Sequence, residues 1–510
     1  MKPRLIAYTI WITIVLLGVV CILVPENGWH IAQWNLRFPT LSEALDLKSK
    51  STLSDSIALD EWGDMPEDTT RLAVTTDSLT SIPIPHDSAN SSKQVPVQML
   101  TIIEPQEVED LRHYLTAFYL ALDSADNKPI RIVHFGDSQI EEDRMTNVLR
   151  ENWQKTYGGG GVGLIPLHQT VPSRSIRQYI SMNNVIQSAQ AGPKRYIVYG
   201  PRSMRWTNDD GYGVMGQFAM MDTALVKGSQ DIVLHVEPAG KKLKSHNYFN
   251  RVRVLTDSVD GWIAANDTVF YPDSTYAMGA YYQLPDSSKL CDIHLHGRGR
   301  VYGISIETDK GVIVDNIPMR GCSGNIFTRI DSAQLSTYFR ETNTRLIILQ
   351  YGGNMIPHNE NRSTVYGYAH TTMRQQVQYL RSCAPQASIL FVGPSDMSTN
   401  VDGVMTTYPL LPYLDQMLCK MAQEEKIAYW SMYRAMGGYN SMVTWQEKGL
   451  AGSDYVHFTR AGANKAGKML VDWIDEWKRE YQLVQPDTIS VADSTMVQNQ
   501  DSMLLEQSSR

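Results

Sequence analysis

Short, mainly apolar runs recur along the chain, and several of them end at glycine or at a small polar residue. Three such runs, at 130–135, 312–314 and 346–351, have the composition of buried β-strands. The first is followed by a helix-like segment at 140–154, and an amphipathic helix is predicted at 459–481. Apolar strands that alternate with helices are typical of α/β proteins, whose sheet is mainly parallel.

A different pattern fills the region between the first two of these runs. The segments at 231–236, 251–255, 291–296 and 301–306 are short, and Gly, Asp, Ser and Pro separate them. Several of them alternate apolar and polar residues, which predicts antiparallel strands. We therefore expect a β-sandwich at 171–310, inserted into an α/β domain that occupies 101–170 and 311–485.

The N-terminal end has an uncharged, mainly apolar stretch of 20 residues, from Leu5 to Val24, preceded by Lys2 and Arg4. A stretch of this length spans a bilayer as a helix, and the positive flank keeps residues 1–4 in the cytoplasm. The sequence thus predicts a single-pass inner-membrane protein whose remaining residues lie in the periplasm. A cleavable signal peptide is the alternative, although no small-x-small cleavage site follows the stretch.

Two polar regions flank the predicted folded part. Residues 25–100 form a region rich in Ser, Thr and Asp, and residues 486–510 have the same polar character. Neither region can bury enough apolar surface to fold by itself, so we expect both to be mostly disordered. The first would act as a linker that lets the folded part reach away from the membrane.

Charge and cysteine content exclude some classes of function. The formal net charge is −8, and −10 without Lys2 and Arg4, so nucleic acid is not expected as a partner. The five cysteines do not have the spacing of metal ligands. Cys383 and Cys419 either form a disulfide or remain buried thiols. The sequence does not decide between these two states, and it leaves the oligomeric state open.

Candidate chemistry lies where the first strand ends. The run at 130–135 leads into Gly136, Asp137 and Ser138, which places a serine hydroxyl at the carboxyl edge of the sheet. Near the C-terminus, Asp454 and His457 are three residues apart, so that the histidine can take a proton from the serine while the aspartate orients it. Ser138, His457 and Asp454 therefore predict a catalytic triad, which needs no metal or organic cofactor.

Two other strand ends offer hydrogen-bond donors. The run at 346–351 leads into Gly-Gly-Asn, so the side-chain amide of Asn354 lies at the same edge of the sheet. The run at 312–314 leads into a Gly-rich loop at 321–324, whose backbone can also donate. We predict an oxyanion hole formed by the backbone N–H groups of Ser138 and Gly324 and the amide of Asn354.

These four elements, in this order, resemble the sequence blocks of the SGNH (GDSL) hydrolases over about residues 125–480. The resemblance implies a three-layer α/β/α domain with a mainly parallel sheet. Two positions depart from the pattern. Met355 follows Asn354 where the family often has Asp, and Gln139 follows the serine where other branches have Leu or His. Neither position belongs to the triad, so the departures leave the chemistry intact.

The interruption by a β-sandwich, after a glycine-rich stretch at 157–166, is similar to that in bacterial peptidoglycan O-acetylesterases, whose insert resembles a carbohydrate-binding module. This resemblance implies a serine esterase that removes O-acetyl or other short acyl groups from a cell-envelope polysaccharide, most directly peptidoglycan. Two alternatives stay open. One is an O-acyltransferase that passes the acyl group to a wall or exported polysaccharide, and the other is a catalytically inactive glycan-binding protein.

Overall fold

The computed structural model describes residues 29–31, 34–36 and 110–484, with gaps at 183–184, 188–192, 201–203, 206–210, 223–231, 241–243, 259 and 359–360. The chain divides into two compact units, Met1–Arg71 and Leu72–Arg510. In the first unit, strands β1 (Trp29–Ile31) and β2 (Trp34–Leu36) pair as an antiparallel hairpin. This hairpin lies inside the predicted linker at 25–100, and the remainder of that linker lies outside the described residues.

The second unit contains most of the described strands. In chain order they are β3 (Ile130–Gly136), β4 (Gly163–Ile165), β5 (Ile176–Met182), β6 (Val185–Gln187), β7 (Lys194–Ile197), β8 (Gln217–Asp222), β9 (Ile232–Pro238), β10 (Phe249–Thr256), β11 (Asp260–Ala265), β12 (Thr268–Phe270), β13 (Ser274–Tyr276), β14 (Gly279–Ser288), β15 (Cys291–His296), β16 (Arg298–Glu307), β17 (Val312–Pro318), β18 (Thr344–Gln350), β19 (Ser388–Val392), β20 (Ser398–Val401), β21 (Val404–Thr407) and β22 (Ala428–Trp430).

Helices of the same unit lie mostly before β4 and after β17. The α-helices are α1 (Thr116–Leu122), α2 (Thr146–Tyr157), α3 (Ser332–Glu341), α4 (Arg362–Gly367), α5 (Arg374–Cys383), α6 (Leu411–Glu424), α7 (Met432–Met436), α8 (Ser441–Glu447) and α9 (Arg460–Val484). Short 3-10 helices occur at Leu111–Leu115, Ser138–Asp143, Ser245–Asn247, Phe327–Arg329 and Gly353–His358, and a π-helical turn occurs at Tyr368–Met373.

A five-stranded sheet forms the centre of this unit, with the strand order β17-β3-β18-β19-β22. Every neighbouring pair in the sheet is parallel. The three apolar runs that the sequence predicts as strands are β3, β17 and β18, and β3 lies between the other two. The predicted α/β class with a mainly parallel sheet is confirmed.

Side chains of the central strands alternate between two apolar cores. In β3, Val133 and Phe135 pack with α3, α5 and α6, whereas Ile130 and Ile132 pack with α1, α2 and α9. Successive residues of a strand point to opposite faces of the sheet, so a continuous apolar run buries both faces. Helices therefore cover the sheet on both sides, in three α/β/α layers.

The residues from β4 to β16 form two antiparallel sheets. One has the order β13-β14-β10-β16-β8-β7, with β4 also paired to β16, and the other has the order β12-β11-β15-β9-β5-β6. The two sheets share one apolar core, to which Val252 and Ile304 contribute from the first sheet and Leu234 and Ile293 from the second. Because β4 belongs to the first sheet, the strands of these two sheets extend from 163 to 307. The sequence predicts the β-sandwich insert at 171–310, which contains all of these strands except β4.

A glycine-rich stretch after α2 carries the chain from the central sheet into the insert. Gly161 and Gly163 have left-handed backbone conformations, with φ of 73° and 75°. A Cβ atom at Gly161 would lie 2.1 Å from the carbonyl oxygen of Ile306, and one at Gly163 would lie 2.4 Å from the carboxylate of Asp315. Both positions therefore require glycine, since the outgoing chain lies directly against β16 and β17, where the chain returns.

A buried ionic cluster joins the insert to the central sheet. Arg131 of β3 contacts Glu307 at the end of β16 and Asp315 of β17, the latter at 2.6 Å, and all three side chains are at most 1% exposed. Arg251 and Arg253 of β10 also lie 2.9 and 3.6 Å from Glu307. Burial alone would raise the pKa of Glu307, but the three arginines lower it to about 2. The carboxylate is thus ionised inside the protein and held by positive charge.

The cysteines of the second unit are unpaired. Cys383 and Cys419, for which the sequence leaves a disulfide open, are both free thiols, and so are Cys291 and Cys322. Burial raises the pKa of the Cys419 thiol to about 11 and that of Cys322 to about 11. These thiols are consequently protonated at neutral pH and act as small apolar side chains.

The parts of the chain for which a membrane or solvent location is predicted are at the two ends. The cytoplasmic residues 1–4, the anchor at 5–24 and the tail at 486–510 lie outside the described residues. Within the ranges that the structure describes, no helix combines the length and the apolar character needed to span a bilayer.

Candidate active site

Strand β3 delivers Ser138 to the carboxyl edge of the parallel sheet. The strand ends at Gly136, and Ser138 begins the 3-10 helix Ser138–Asp143. Asp137 caps this helix, because its Oδ1 accepts a hydrogen bond of 2.9 Å from the backbone N–H of Gln139. The serine is therefore held at a sharp strand-to-helix turn, with its hydroxyl directed into a cavity.

The structure brings Ser138, His457 and Asp454 together, although 316 positions separate the serine from the aspartate in the numbering. Ser138 Oγ lies 2.9 Å from His457 Nε2, and His457 Nδ1 lies 2.7 Å from Asp454 Oδ2. A carboxylate only accepts hydrogen bonds, so Nδ1 carries the proton and Nε2 is the acceptor that faces the serine hydroxyl. This arrangement has the geometry of a nucleophile, a base and an orienting acid.

Asp454 is fixed by the loop that carries His457. Its Oδ1 accepts hydrogen bonds from the backbone N–H groups of both Val456 and His457, each at 3.0 Å. Tyr455, which lies between Asp454 and Val456, adopts a left-handed conformation with φ of 55°, and this turns the chain back on the carboxylate. Burial alone would raise the pKa of Asp454, but the hydrogen bonds from His457 and Val456 lower it to about 2. The aspartate is therefore anionic at any pH at which the protein would act.

Gln139 connects the nucleophile helix to the histidine loop. Its side-chain amide donates to the carbonyl oxygen of Val456 at 2.6 Å and to Ser395 Oγ at 3.2 Å. The residue is 7% exposed, so these bonds form away from solvent. The sequence identified Gln139 only as a departure from the family pattern. Its position next to the nucleophile was the available signal, but its partner lies far along the chain.

A cavity of about 220 Å³ opens in front of the triad. Its lining is mostly neutral and comes from the carboxyl ends of the central strands and the loops that follow them. The residues that line it are Asp137, Ser138, Gln139, Arg320, Gly321, Gln350, Tyr351, Gly353, Asn354, Pro357, Pro394, Ser395, Met397, Met432, Val456 and His457. The position of the cavity agrees with the rule that open α/β sheets bind ligands at this edge.

Asn354 lies in the cavity, as the sequence predicts, and Gly324 does not. The amide of Asn354 donates to Asp137 Oδ2 and to the carbonyl oxygen of Cys322, each at 3.2 Å. The backbone N–H of Gly324 instead faces Cys322 Sγ at 3.3 Å, and a Cβ atom at Gly324 would lie 2.8 Å from the Tyr351 ring. Gly324 thus packs behind the site.

Gly321, at the start of the same loop, lines the cavity in place of Gly324. Its φ is 72°, and nothing lies within 4 Å of the position that a Cβ atom would occupy, so this peptide is open to a ligand. The structure thus places Gly321, and not the predicted Gly324, in the lining of the cavity. Two glycines in a four-residue loop look alike in sequence, and only the packing of Tyr351 distinguishes them.

Two buried ionisable groups, Asp137 and His134, lie close to the nucleophile in the chain. Burial raises the pKa of Asp137 to about 6, against the hydrogen bonds from Gln139 and Asn354, which lower it. Burial lowers the pKa of His134, in the middle of β3, to about 4. The His134 ring lies 3.0 Å from both Gln350 and Thr146, so it is a neutral, packed histidine and not a base for Ser138.

A second Ser-His-Asp line lies on the outer face of the insert. Ser181 Oγ is 2.8 Å from His235 Nε2, and His235 Nδ1 is 2.7 Å from Asp292 Oδ1. These residues come from the neighbouring strands β5, β9 and β15 and do not line the cavity. The two hydrogen-bond contacts that define a triad are therefore insufficient by themselves, and the cavity at Ser138 is what distinguishes the candidate active site.

One solved structure supports this description of the fold. A peptidoglycan O-acetylesterase structure is 21% identical, the match covers 73% of this chain and 99% of that chain, and the TM-score is 0.56. For an acetyl xylan esterase, the identity is 13%, the match covers 31% of this chain and 79% of that chain, and the TM-score is 0.24. For a catalytic mutant of an acetylxylan esterase from Geobacillus stearothermophilus, the identity is 12%, the match covers 32% of this chain and 73% of that chain, and the TM-score is 0.24.

Comparison by sequence alone gives no relative, since no protein-family model and no curated protein matches the chain. The molecule has a three-layer α/β/α domain with Ser138, Asn354 and His457 at the edge of its sheet, and these are the features on which the resemblance to the SGNH hydrolases rests. Among solved structures it has the fold of a peptidoglycan O-acetylesterase. The resemblance that the sequence blocks indicate is therefore confirmed at the level of the fold.

Proposed function

We propose that this protein is a serine esterase that removes O-acetyl or other short acyl groups from a cell-envelope glycan, with peptidoglycan as its substrate. The observation that carries the proposal is the hydrogen-bonded line from Ser138 through His457 to Asp454, which faces a cavity at the carboxyl edge of the sheet. The fold that it shares with a peptidoglycan O-acetylesterase supports this choice of substrate.

The reaction begins when Ser138 Oγ attacks the ester carbonyl carbon. His457 Nε2 takes the hydroxyl proton and then returns it to the departing sugar oxygen, which leaves the acyl group on Ser138. Water attacks this acyl-enzyme with His457 as base, and the carboxylic acid is released. A positioned base of this kind contributes about 10²–10⁴ in rate. Asp454 keeps the histidine in the tautomer that accepts from the serine.

The tetrahedral intermediates carry negative charge on the former carbonyl oxygen. The donors available to it are the backbone N–H of Ser138, the peptide at Gly321 and the amide of Asn354, all of which line the cavity. Loss of one such donor lowers kcat by about 10²–10³. The Asn354 amide, which binds Asp137 and Cys322 in the free protein, would have to redirect one N–H toward the oxyanion.

We also propose that the insert supplies a surface that binds the polysaccharide. On the outer face of its β12-to-β6 sheet, Trp262 stacks on His294 with ring centroids 3.5 Å apart, and Tyr179 stacks on His235 at 4.5 Å. Half-exposed aromatic rings among polar groups are suited to sugar binding. Weaker retention of the Trp262→Ala variant than of wild-type protein on insoluble peptidoglycan would support this role, and equal retention would contradict it.

The esterase itself is tested with the full chain purified in detergent. Acetate release is measured from O-acetylated peptidoglycan, from acetylated xylan and from an aryl acetate, with and without a glycan acceptor. Release without an acceptor that Ser138→Ala abolishes supports the proposal. Turnover that requires the acceptor would instead identify an acyltransferase, and binding of glycan without any turnover would identify an inactive binding protein.

The proposed location follows from the apolar stretch at 5–24, which would anchor the chain in the inner membrane with the catalytic domain in the periplasm. Membrane fractionation tests the anchor, and protease treatment of intact spheroplasts tests the orientation. We expect the protein in the membrane fraction and digestion from outside. Recovery of the mature chain in the soluble fraction would favour a cleaved signal peptide.

A further inference from the structure

Arg320 lies at the mouth of the cavity that contains the triad. It is the second residue after β17 and comes directly before Gly321, whose peptide faces the same space. Among the described residues of the cavity lining, it supplies the one Lys or Arg side chain. Because Arg320 lines the same cavity as Ser138 and His457, one substrate molecule can contact all three residues.

The guanidinium of Arg320 is available for a ligand. Its side chain is 61% exposed, and its ion pair with Glu141 Oε2 has a distance of 3.4 Å. An exposed pair of this length contributes little to stability. Burial raises the pKa of Glu141 even though Arg320 lowers it, so the arginine only partly compensates this carboxylate. An incoming carboxylate can therefore replace or share the contact.

The rest of the cavity offers no other permanent positive charge among the lining side chains that the structure describes. Asp137, the carboxyl group in this lining, is 5% exposed and already accepts from Gln139 and Asn354. The whole chain carries a net charge of −8, which repels an acidic polymer. A local cation at the cavity mouth is thus the feature that would attract and orient such a polymer.

We propose that Arg320 binds a carboxylate of the substrate, so that the site prefers an acidic O-acetylated glycan to a neutral one. The planar guanidinium can bind a carboxylate through two parallel hydrogen bonds, which fixes the sugar relative to the ester. Peptidoglycan carries such groups on its peptides, and unsubstituted xylan does not. This inference rests on the proposed esterase function and specifies its substrate class.

The test compares two substrates that differ only in charge. One is an O-acetylated muropeptide with free peptide carboxylates, and the other is the same muropeptide with those carboxylates amidated. For the full-length wild-type protein we expect kcat/KM to be about 10- to 100-fold higher on the acidic form, since a hydrogen-bonded ion pair is lost on amidation. In Arg320→Gln this ratio is expected to fall close to one, mainly through a higher KM, and Arg320→Lys should restore part of it.

Arg340→Gln is the matched control, because Arg340 is an exposed arginine of α3 that does not line the cavity. It is expected to keep the wild-type ratio. An equal loss on both substrates in Arg320→Gln would overturn the inference, since Arg320 would then act by holding the loop. A wild-type ratio near one would also overturn it while leaving the esterase intact, whereas absence of all wild-type turnover would contradict the proposed function itself.

Discussion

Gln139 joins two parts of the site that must keep a fixed distance. Its amide binds the Val456 carbonyl, and the next residue is His457, so any shift of this bond moves the base relative to Ser138. In reactions of this kind a displacement of about 1 Å can lower the rate about 10²-fold. Gln139 therefore positions the base without contacting the reacting atoms.

The substitution Gln139→Leu tests this role. Leucine fills the space but leaves the buried Val456 carbonyl without its donor, so we expect kcat on an aryl acetate to fall about 10- to 100-fold. Ser395→Ala is the comparison, because it removes the second contact of Gln139 and keeps the first. It should reduce kcat less. If Gln139→Leu retained wild-type kcat, the histidine loop would not depend on this bond.

Asp137 introduces a pH dependence of stability. Its pKa is about 6 in the folded protein, above the ordinary value of 3.8, so the stability that it contributes is present below about pH 4 and is lost as the pH rises through 6. A shift of this size corresponds to about 3 kcal/mol at most. We expect the unfolding free energy of wild type to fall relative to that of Asp137→Asn between pH 4 and 6.5, and the difference then to level off. Denaturant titrations at several pH values measure it, and a constant difference would disagree with the buried carboxyl.

The sequence was sufficient to predict those site residues whose position depends only on their neighbours in the chain. Asp454 and His457 lie in one loop, and Ser138 follows directly from a strand, so their types and spacing indicated where they would lie. The contacts of Gln139 with Val456 and of Gly324 with Tyr351 could not be predicted, because these partners come from other loops and strands. Which glycine faces the cavity depends on where the Tyr351 ring packs.

The strands of the central sheet were easier to predict than the burial of charged side chains within them. The apolar runs of β3, β17 and β18 identified the centre of the sheet, because parallel strands covered on both faces contain few polar residues. Arg131 is an exception in the middle of β3. Its burial could not be predicted, since Glu307 and Asp315 reach it from β16 and β17.

Replacement of Arg131 shows how strongly these elements depend on the ionic cluster. In Arg131→Met, Glu307 and Asp315 lose a shared counter-charge inside the protein, so we expect the free energy of unfolding to fall by about 3–5 kcal/mol. Chemical denaturation measures the change. Arg340→Met, at an exposed position, should stay within about 0.5 kcal/mol of wild type. A small effect of Arg131→Met would mean that the remaining arginines, Arg251 and Arg253, compensate the carboxylates.

For the molecule as a whole, the insert and the α/β domain are coupled through Arg131 and through the backbone N–H of Leu164, which donates to Asp315 at 2.8 Å. The sequence predicted that an insert exists but started it after residue 170. β4 lies before this predicted start, and it could not be recognised in the sequence because it is only three residues long and follows a glycine-rich stretch that has no strand pattern of its own.

This coupling predicts one cooperative thermal transition for both parts. Because each part buries charges that the other compensates, unfolding of one part is expected to destabilise the other. Calorimetry should give a single peak for the wild-type chain, with far-UV and near-UV circular dichroism changing at the same temperature. Two resolved peaks would show that the insert is an independent domain, and Arg131→Met is the variant in which separation would first appear.

The strand order also determines how the protein can reach its native state. Both neighbours of β3 follow the insert in the chain, so during synthesis the nucleophile strand has no partner until the insert is complete. The strands of the insert pair mainly with one another, and the pairing of Gly163 with Ile306 brings the two ends of the insert together. Closing a long loop before β3 can bind β17 is entropically unfavourable, and a folded insert shortens that loop. We therefore expect the insert to fold first and the active-site strand to be assembled last.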